Sequence, residues 1–379
     1  MRAVLVINSL GSFPPHQMAP LRAALSLGWE VHLVAPASPA AAEAVAMGAV
    51  YHPVFIPRGL VAPWWELGTL WRLWRLYRRL RPQLVHHMTA KPVIFGGLAA
   101  RLAGVPIVVA TTPGLGGIFA QRGFRAGLLR GLILAGFRQA ARHPRCRFII
   151  ENESDRERLV MAGVVPAEHT TLVLISGVDP KVFHPEPEAP GPPVVLLASR
   201  LLWDKGIGTF VEAARRLRAQ GVRARFVLAG DPDPGNPASI PRAQLEAWVR
   251  EGNVEWLGHR NDMPHVLAAS HVCCLPTVYG EGTPRFLLEA AASGRPLVST
   301  DWPGCREVAQ HGVTGLLVPP RDPEFLAGAL RALIEAPSLR AQYGQAARRL
   351  VLERFTADRA VADTTALYRS LVEQAGGRA

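Results

Sequence analysis

The stretch Val272–Gly304 reads VCCLPTVYGEGTPRFLLEAAASGRPLVSTDWPG, and its order of residue types decides the fold. An apolar run, Val272–Leu275, leads into a turn punctuated by glycine and proline. A helical pattern rich in Leu and Ala follows, expected to begin near Pro284 because proline suits a first helical turn. A second apolar run, Pro296–Ser299, closes the unit. Both runs are apolar at successive positions, as in strands covered on both faces. That pattern predicts parallel strands joined by a right-handed helical crossover.

The same unit recurs outward in both directions. Further strands are expected at Ala3–Ile7, Val31–Val34, Leu84–His86, Ile107–Ala110, Phe148–Glu151 and Leu172–Ile175. Others are expected at Val194–Ala198, Arg225–Ala229, Val254–Leu257 and Leu316–Val318. Strands alternating with helices imply an α/β chain of open, doubly wound sheets. The Pro-rich stretch Asp179–Pro193, DPKVFHPEPEAPGPP, separates two complete series and reads as the domain boundary. The expected domains are 1–180 and 181–355, with 356–379 a C-terminal helix packing back on the first. At 379 residues, two domains are the default.

Composition narrows the function classes. Apolar residues are 49% and charged residues 19%, which fits a globular chain rather than a disordered one. Cys146, Cys273, Cys274 and Cys305 form no metal-ligand spacing and read as reduced core thiols of a cytoplasmic protein. MRAVLVINSLG reads as a first strand and not as a signal peptide. Arg101 and Pro106 interrupt the longest apolar stretch, which argues against a spanning helix. Residues 1–150 hold 17 Lys/Arg against three acids, whereas residues 151–379 hold 25 against 27. Charge so unevenly placed points the first half at something anionic.

Chemistry concentrates in two loops of the second half. Glu281 precedes the helix expected at Pro284 and Glu289 lies inside it, and ionised carboxylates accept paired hydrogen bonds from vicinal hydroxyls. By itself the spacing fits a capped surface helix with two solvated glutamates better. The loop ASRLLWDKGIG (198–208) adds Arg200 and Lys205, two cations at a helix start that suit a diphosphate. Two such sites on neighbouring strand exits of one domain favour a shared ligand.

These segments carry a resemblance. ASRLLWDKGIGTF, FVLAGDPDPGN, VEWLGHRNDM and YGEGTPRFLLEAAASGRPLVSTDWPGCREVAQHGVTGLLVPPRD resemble, in order and spacing, the family-4 retaining glycosyltransferases over residues 194–325. The resemblance implies the GT-B fold, two facing Rossmann-like domains with parallel sheets and an interdomain cleft. The family's E-x7-E motif falls on Glu281 and Glu289. It implies that Glu281 binds donor-sugar hydroxyls, Glu289 the ribose, and Arg200 and Lys205 the diphosphate leaving group. Gly258 and Arg260 would flank the base, and the amides of Gly282 and Thr283 would face the sugar. Asp179, in the segment after Gly177, is expected to work structurally at the junction.

The first half resembles the family less tightly. Gly11 corresponds to a Gly-rich loop near donor phosphates or acceptor. RPQLVHHMTAKPVIFGGLAARLAGVPIVVATTPGLGGIF (81–119) resembles a subgroup extending sugars on polyprenyl-diphosphate carriers. Many members carry Thr-x-His-Gly after the fourth strand. Here Thr111-Thr112-Pro113-Gly114 stands there, which excludes a catalytic histidine at that place. His86, His87, Thr89 and Lys91 are left as acceptor-side candidates, although adjacent histidines are more often one packed and one exposed.

PWWELGTLWRLWRLYRRLRPQ (63–83) sets Trp71, Trp74 and Tyr77 among Arg72, Arg75, Arg78, Arg79 and Arg81. Gln121–Arg147 interleaves Leu128, Leu129, Leu132, Ile133 and Phe137 with seven arginines. Both fit helices lying on anionic lipid, a reading that the lipid-linked acceptor implied by the resemblance favours over helices packed on the sheet with solvated arginines. No nucleic-acid recognition motif accompanies the charge.

The expectation is a transferase moving a sugar from a nucleotide donor, by resemblance a UDP-sugar, to a lipid-linked acceptor. The nucleotide sugar is a co-substrate, no cofactor is expected, and no Asp-x-Asp pair is placed to make a metal essential. The protein is expected in the cytoplasm, peripheral on the inner face of the cell membrane. A transferase with a soluble or diacylglycerol acceptor, or a non-catalytic sugar-binding protein, are the rival readings.

Overall fold

Along β1 (Arg2–Ile7), side chains sort by parity: Ala3, Leu5 and Ile7 enter one core, Val4 and Val6 the other. This is what a run of consecutive apolar residues requires, since successive side chains of a strand point to opposite faces. The strand is central in an all-parallel sheet completed by β2 (Glu30–Ala35), β3 (Val50–Pro53), β4 (Leu84–Met88), β5 (Ile107–Thr111), β6 (Cys146–Ile150) and β7 (Thr170–Leu172). Its spatial order is β3-β2-β1-β4-β5-β6-β7.

A second parallel sheet follows, of β8 (Val194–Ala198), β9 (Arg225–Ala229), β10 (Glu255–Trp256), β11 (Val272–Leu275), β12 (Leu297–Thr300) and β13 (Gly315–Val318), in the order β10-β9-β8-β11-β12-β13. This computed structural model describes residues 1–10, 14–57, 63–112, 123–175, 177–279 and 281–376. The chain divides into two units, Met1–Gly177 with Ala357–Ala379, and Val178–Thr356. In each sheet the strand order reverses beside its first strand, between β1 and β4 and between β8 and β11. Loops at the carboxyl ends of those strands are where doubly wound folds bind ligands.

Three differences from the sequence reading have physical causes. β3 was not expected: it is a half-exposed edge strand ending in proline, without the apolar run that marks a central one. The opposite edge, β7, lies at Thr170–Leu172 rather than Leu172–Ile175. The stretch 179–193 begins just past the change of unit and belongs to the second unit, so the expected bounds at 180 and 355 fall within three residues of the observed ones while the stretch itself is no free linker. Arg348 donates to the carbonyls of Phe183 and Pro180, Arg295 to that of Glu186, and Arg340 holds the Glu188 carboxylate at 2.7 Å. The polypeptide changes unit at Gly177/Val178 and again at Thr356/Ala357. Asp179 makes a local turn, its carboxylate accepting from the Lys181 amide at 2.8 Å.

The last helix, Ala357–Gln374, belongs to the first unit, where Tyr368, Leu371 and Val372 join the core of β1. The Tyr368 ring stacks on Trp29 at 5.6 Å.

Candidate active site

In the second unit the loops leaving β8 and β11 meet backbone to backbone. Gly206 has φ +74°, and a β-carbon there would lie 1.8 Å from the Pro276 carbonyl oxygen. Only glycine permits that approach, and it sets Lys205 beside Glu281. Their ammonium and carboxylate are in direct contact, each side chain only 13% exposed. Thr277, fully buried, lies with its hydroxyl 3.2 Å from the same carboxylate oxygen. The Lys205 ammonium also stands 5.5 Å from the centre of the Tyr279 ring. Burial alone would lower the lysine's pKa, but Glu281 and Tyr279 outweigh it, so Lys205 is held above its ordinary value. It is a permanent cation in a poorly hydrated place. Arg200 is close enough to repel it and to act on Tyr279.

The next loop clamps this arrangement from below. Gly304, at φ +77°, brings the turn after β12 onto the Glu281–Gly282 backbone, and a β-carbon there would sit 1.5 Å from the Gly282 carbonyl oxygen. Gly282 and Thr283 lead to Pro284, which is the extended N-cap residue of the helix Arg285–Ala292 rather than part of its first turn. No side chain caps that helix.

Glu289 faces another way. It lines a cavity of about 400 Å³ with Arg200, Asp231, Asp233, His259 and Arg260. Burial raises the pKa of its carboxyl, partly offset by Arg285, whose guanidinium reaches it at 2.6 Å. Arg260 forms a pair with Asp262 at 2.8 Å on the cavity rim. Gly258, at φ +67°, accepts from the Gly230 amide at 2.7 Å and so ties the β10 exit to the β9 exit. Arg200 joins the two parts of the site: half exposed, it is held by Asp233 at 2.8 Å in the cavity while acting on Lys205.

The structure thus gathers Arg200, Lys205, Glu281, Glu289, Gly258, Arg260, Gly282 and Thr283 around the switch point of one sheet. Sequence reasoning placed His259 only as part of the loop Gly258–Arg260, and it missed Thr277, Asp233 and Arg285. Asp233 was visible in a Pro-rich loop, but nothing local showed that it faces Arg200 across 33 positions.

In the first unit two expectations fail. His86 and His87 are strand residues of β4 with no exposed surface. His86 bonds through both ring nitrogens, to the Tyr368 and Thr111 hydroxyls, each at 2.6 Å. His87 bonds to the Tyr77 hydroxyl at 2.9 Å and packs where a β-carbon on Gly96 would be 2.4 Å from its ring. Burial pushes both pKa values down to about 3, so they are neutral packing residues and not acceptor-side groups. Thr89 and Lys91 do stand at the β4 exit, Lys91 in contact with Glu66. Gly11 lies outside the described residues.

Two carboxylates turned to different parts of the site, two cations and a cavity lie at the carboxyl ends of β8 to β11, where doubly wound sheets bind ligands. The signature described as "Glycosyl transferases group 1" matches residues 192–336, and that described as "Glycosyl transferase 4-like" matches residues 9–141. Over 297 residues the chain is 31% identical to the N,N'-diacetylbacillosaminyl-diphospho-undecaprenol alpha-1,3-N-acetylgalactosaminyltransferase of Campylobacter jejuni, covering 75% of this chain and 76% of that one. It is 27% identical to an Escherichia coli UDP-Gal:alpha-D-GlcNAc-diphosphoundecaprenol alpha-1,3-galactosyltransferase, over 70% of each chain. Among solved structures, Anabaena HepE, crystallised with UDP and glucose, superposes at TM-score 0.78 with 18% identity over 98% of this chain and all of that one. The chain belongs to the family-4 glycosyltransferases, with the GT-B fold.

Proposed function

We propose that the protein transfers a hexose or N-acetylhexosamine from a nucleotide-diphosphate sugar, expected to be a UDP-sugar, to a saccharide on a polyprenyl diphosphate. The observation that carries the donor half is the Lys205–Glu281 pair beside Arg200 and the Glu289 cavity. Arg200 and Lys205 stabilise the charge that develops on the departing diphosphate, from fixed positions where little water competes. Glu281 accepts from donor-sugar hydroxyls and Glu289 from the ribose, with base and ribose in the cavity flanked by Gly258 and Arg260. The amides of Gly282 and Thr283 face the sugar. The acceptor attacks on the face the diphosphate leaves, so the anomeric configuration is kept. No metal is essential, the two cations taking its place.

The acceptor half is supported by the two undecaprenyl-linked relatives and by the first unit's basic surface. The helix Pro63–Leu80 exposes Trp64 at 70%, Leu67 at 64% and Trp71 at 53%. Exposed Arg75, Arg78 and Arg79 share that helix, with Arg75 5.3 Å from the Trp71 ring centre. Tyr77, grouped with the interfacial aromatics on sequence, is core. Among the described residues no helix is long and apolar enough to cross a membrane. We place the enzyme peripherally, on the inner face of the cell membrane.

Incubation with a panel of nucleotide sugars and farnesyl-diphosphate-linked N-acetylglucosamine tests this reading. A glycolipid longer by one sugar, formed equally well in EDTA, is expected. Transfer only to a soluble sugar or to diacylglycerol would overturn the acceptor, and loss of turnover in EDTA would overturn the metal-free mechanism.

A further inference from the structure

Three oxygens in one neighbourhood of the first unit are buried without a hydrogen-bond partner: Glu66 Oε2, Thr89 Oγ1 and Thr112 Oγ1. Thr89 and Thr112 directly follow β4 and β5, and the Thr89 amide donates to the Thr111 carbonyl at 2.9 Å, which sets them side by side. Lys91, two residues on, spends its ammonium on Glu66 Oε1, leaving Oε2 unfilled. Thr89 is also one of three non-glycine residues with positive φ, at 78°, among the described residues. A threonine there is strained, because its branched side chain crowds the backbone in the left-handed region. Unfilled buried polar groups are uncommon and costly. Three of them beside a strained residue, next to the β1/β4 switch point, mark a binding place.

We infer that the exits of β4 and β5 form a subsite for a neutral sugar ring of the acceptor, with Glu66, Thr89 and Thr112 as its hydrogen-bonding groups. The inference rests on the transferase reading above and deepens its acceptor half. The charge balance selects the ligand. Glu66 cancels Lys91, so the subsite has no net positive charge with which to hold a diphosphate. It offers a carboxylate oxygen that accepts and two hydroxyls that donate or accept, which is the complement of vicinal hydroxyls or an acetamido group. Lys91 is a positioning residue that fixes the Glu66 carboxylate. Both side chains keep 17% of their surface, so the rim is open to a ligand.

The test compares Glu66→Gln and Thr112→Val in the full chain. With farnesyl-diphosphate-linked N-acetylglucosamine, each variant is expected to raise the acceptor KM at least ten-fold while the donor KM stays within two-fold. Inhibition by farnesyl diphosphate, which lacks the sugar, is expected to stay within two-fold. Equal weakening of the sugar-free diphosphate would show an anion site and overturn the inference. So would an unchanged acceptor KM with only a lower Tm, the mark of a structural pair. Saturation-transfer NMR with methyl N-acetylglucosaminide supplies a readout that needs no turnover. A wild-type signal lost in both variants, in a protein that transfers nothing to the lipid-linked acceptor, would sink the acceptor proposal and leave the sugar subsite standing. A signal retained in both variants would overturn the subsite.

Discussion

The two sheets share a strand order around their switch points, yet they use the fourth strand differently. In the second unit, β11 is apolar throughout, and its chemistry begins in the exit loop with Thr277, Tyr279 and Glu281. In the first, the polar residues His86 and His87 lie inside β4 and are consumed by Tyr368, Thr111 and Tyr77. A titratable side chain within a central parallel strand is covered by helices on either face, so it packs. One placed just past the strand end is free to face a ligand, as in other doubly wound sheets. Position relative to the strand end, more than residue type, separates site from core.

The sharpest way to break this contrast is to remove the exit-loop cations. Arg200→Ala is expected to lower kcat by about 10²-fold, the usual cost of deleting one group that stabilises developing charge. Its Tm should hardly move, because the side chain is half exposed. Lys205→Met should lose as much activity and also stability, about 1–3 kcal/mol by denaturant unfolding, because Glu281 is left unpaired in a poorly hydrated place. Normal turnover in either variant would end the donor assignment.

The histidines predict a pH effect on stability. Both hold folded pKa values of about 3 against 6.5 in an unfolded chain. The unfolded state therefore binds more protons between those limits, and stability falls as pH drops below about 6.5. From pH 7.5 to 5.5 the pair should cost the first unit about 2–3 kcal/mol. Burial also lowers the pKa values of His32, His52 and His143 in the same unit, so a His86→Asn variant should remove about half of the pair's share of the slope in urea unfolding and leave the rest. An unchanged slope would return His86 to the list of exposed groups.

The helix Pro63–Leu80 comes next in size. Trp64→Ala with Trp71→Ala should reduce flotation with anionic liposomes several-fold at low salt and leave turnover of a soluble acceptor analogue intact. Unchanged flotation would assign these aromatics to another contact. The smallest effect is at Asp233, which pairs with Arg200 in the cavity. Asp233→Asn should tighten nucleoside-diphosphate binding about two- to three-fold, since the cation no longer exchanges one carboxylate for the phosphate.

Much of this contrast was legible in the sequence. Continuous apolar runs gave β8, β9 and β11 to the residue, because central parallel strands leave that signature. Edge strands β3 and β7 have one neighbour and mixed exposure, so they leave little pattern. The two candidate donor loops stood out because glycine, proline and charge follow strand ends there, and the roles proposed for their residues came from the family resemblance. The partners did not stand out: Asp233 for Arg200, Arg285 for Glu289 and Glu66 for Lys91 depend on how side chains turn in three dimensions. His86 and His87 were misleading for the same reason, since Tyr368 reaches His86 from 282 positions away. The Pro-rich stretch 179–193 lacks periodicity, yet buried arginines fasten it to the second unit.

The central claim is that the exit loops of β8 and β11 bind a nucleoside diphosphate through its phosphates. Calorimetric titration of the full chain with UDP, GDP, ADP and the matching monophosphates tests it most directly. At least one diphosphate should bind with a micromolar Kd, and Arg200→Ala should weaken it at least ten-fold while weakening its monophosphate less than three-fold. Absence of binding by every diphosphate, or equal losses for mono- and diphosphate, would contradict the account.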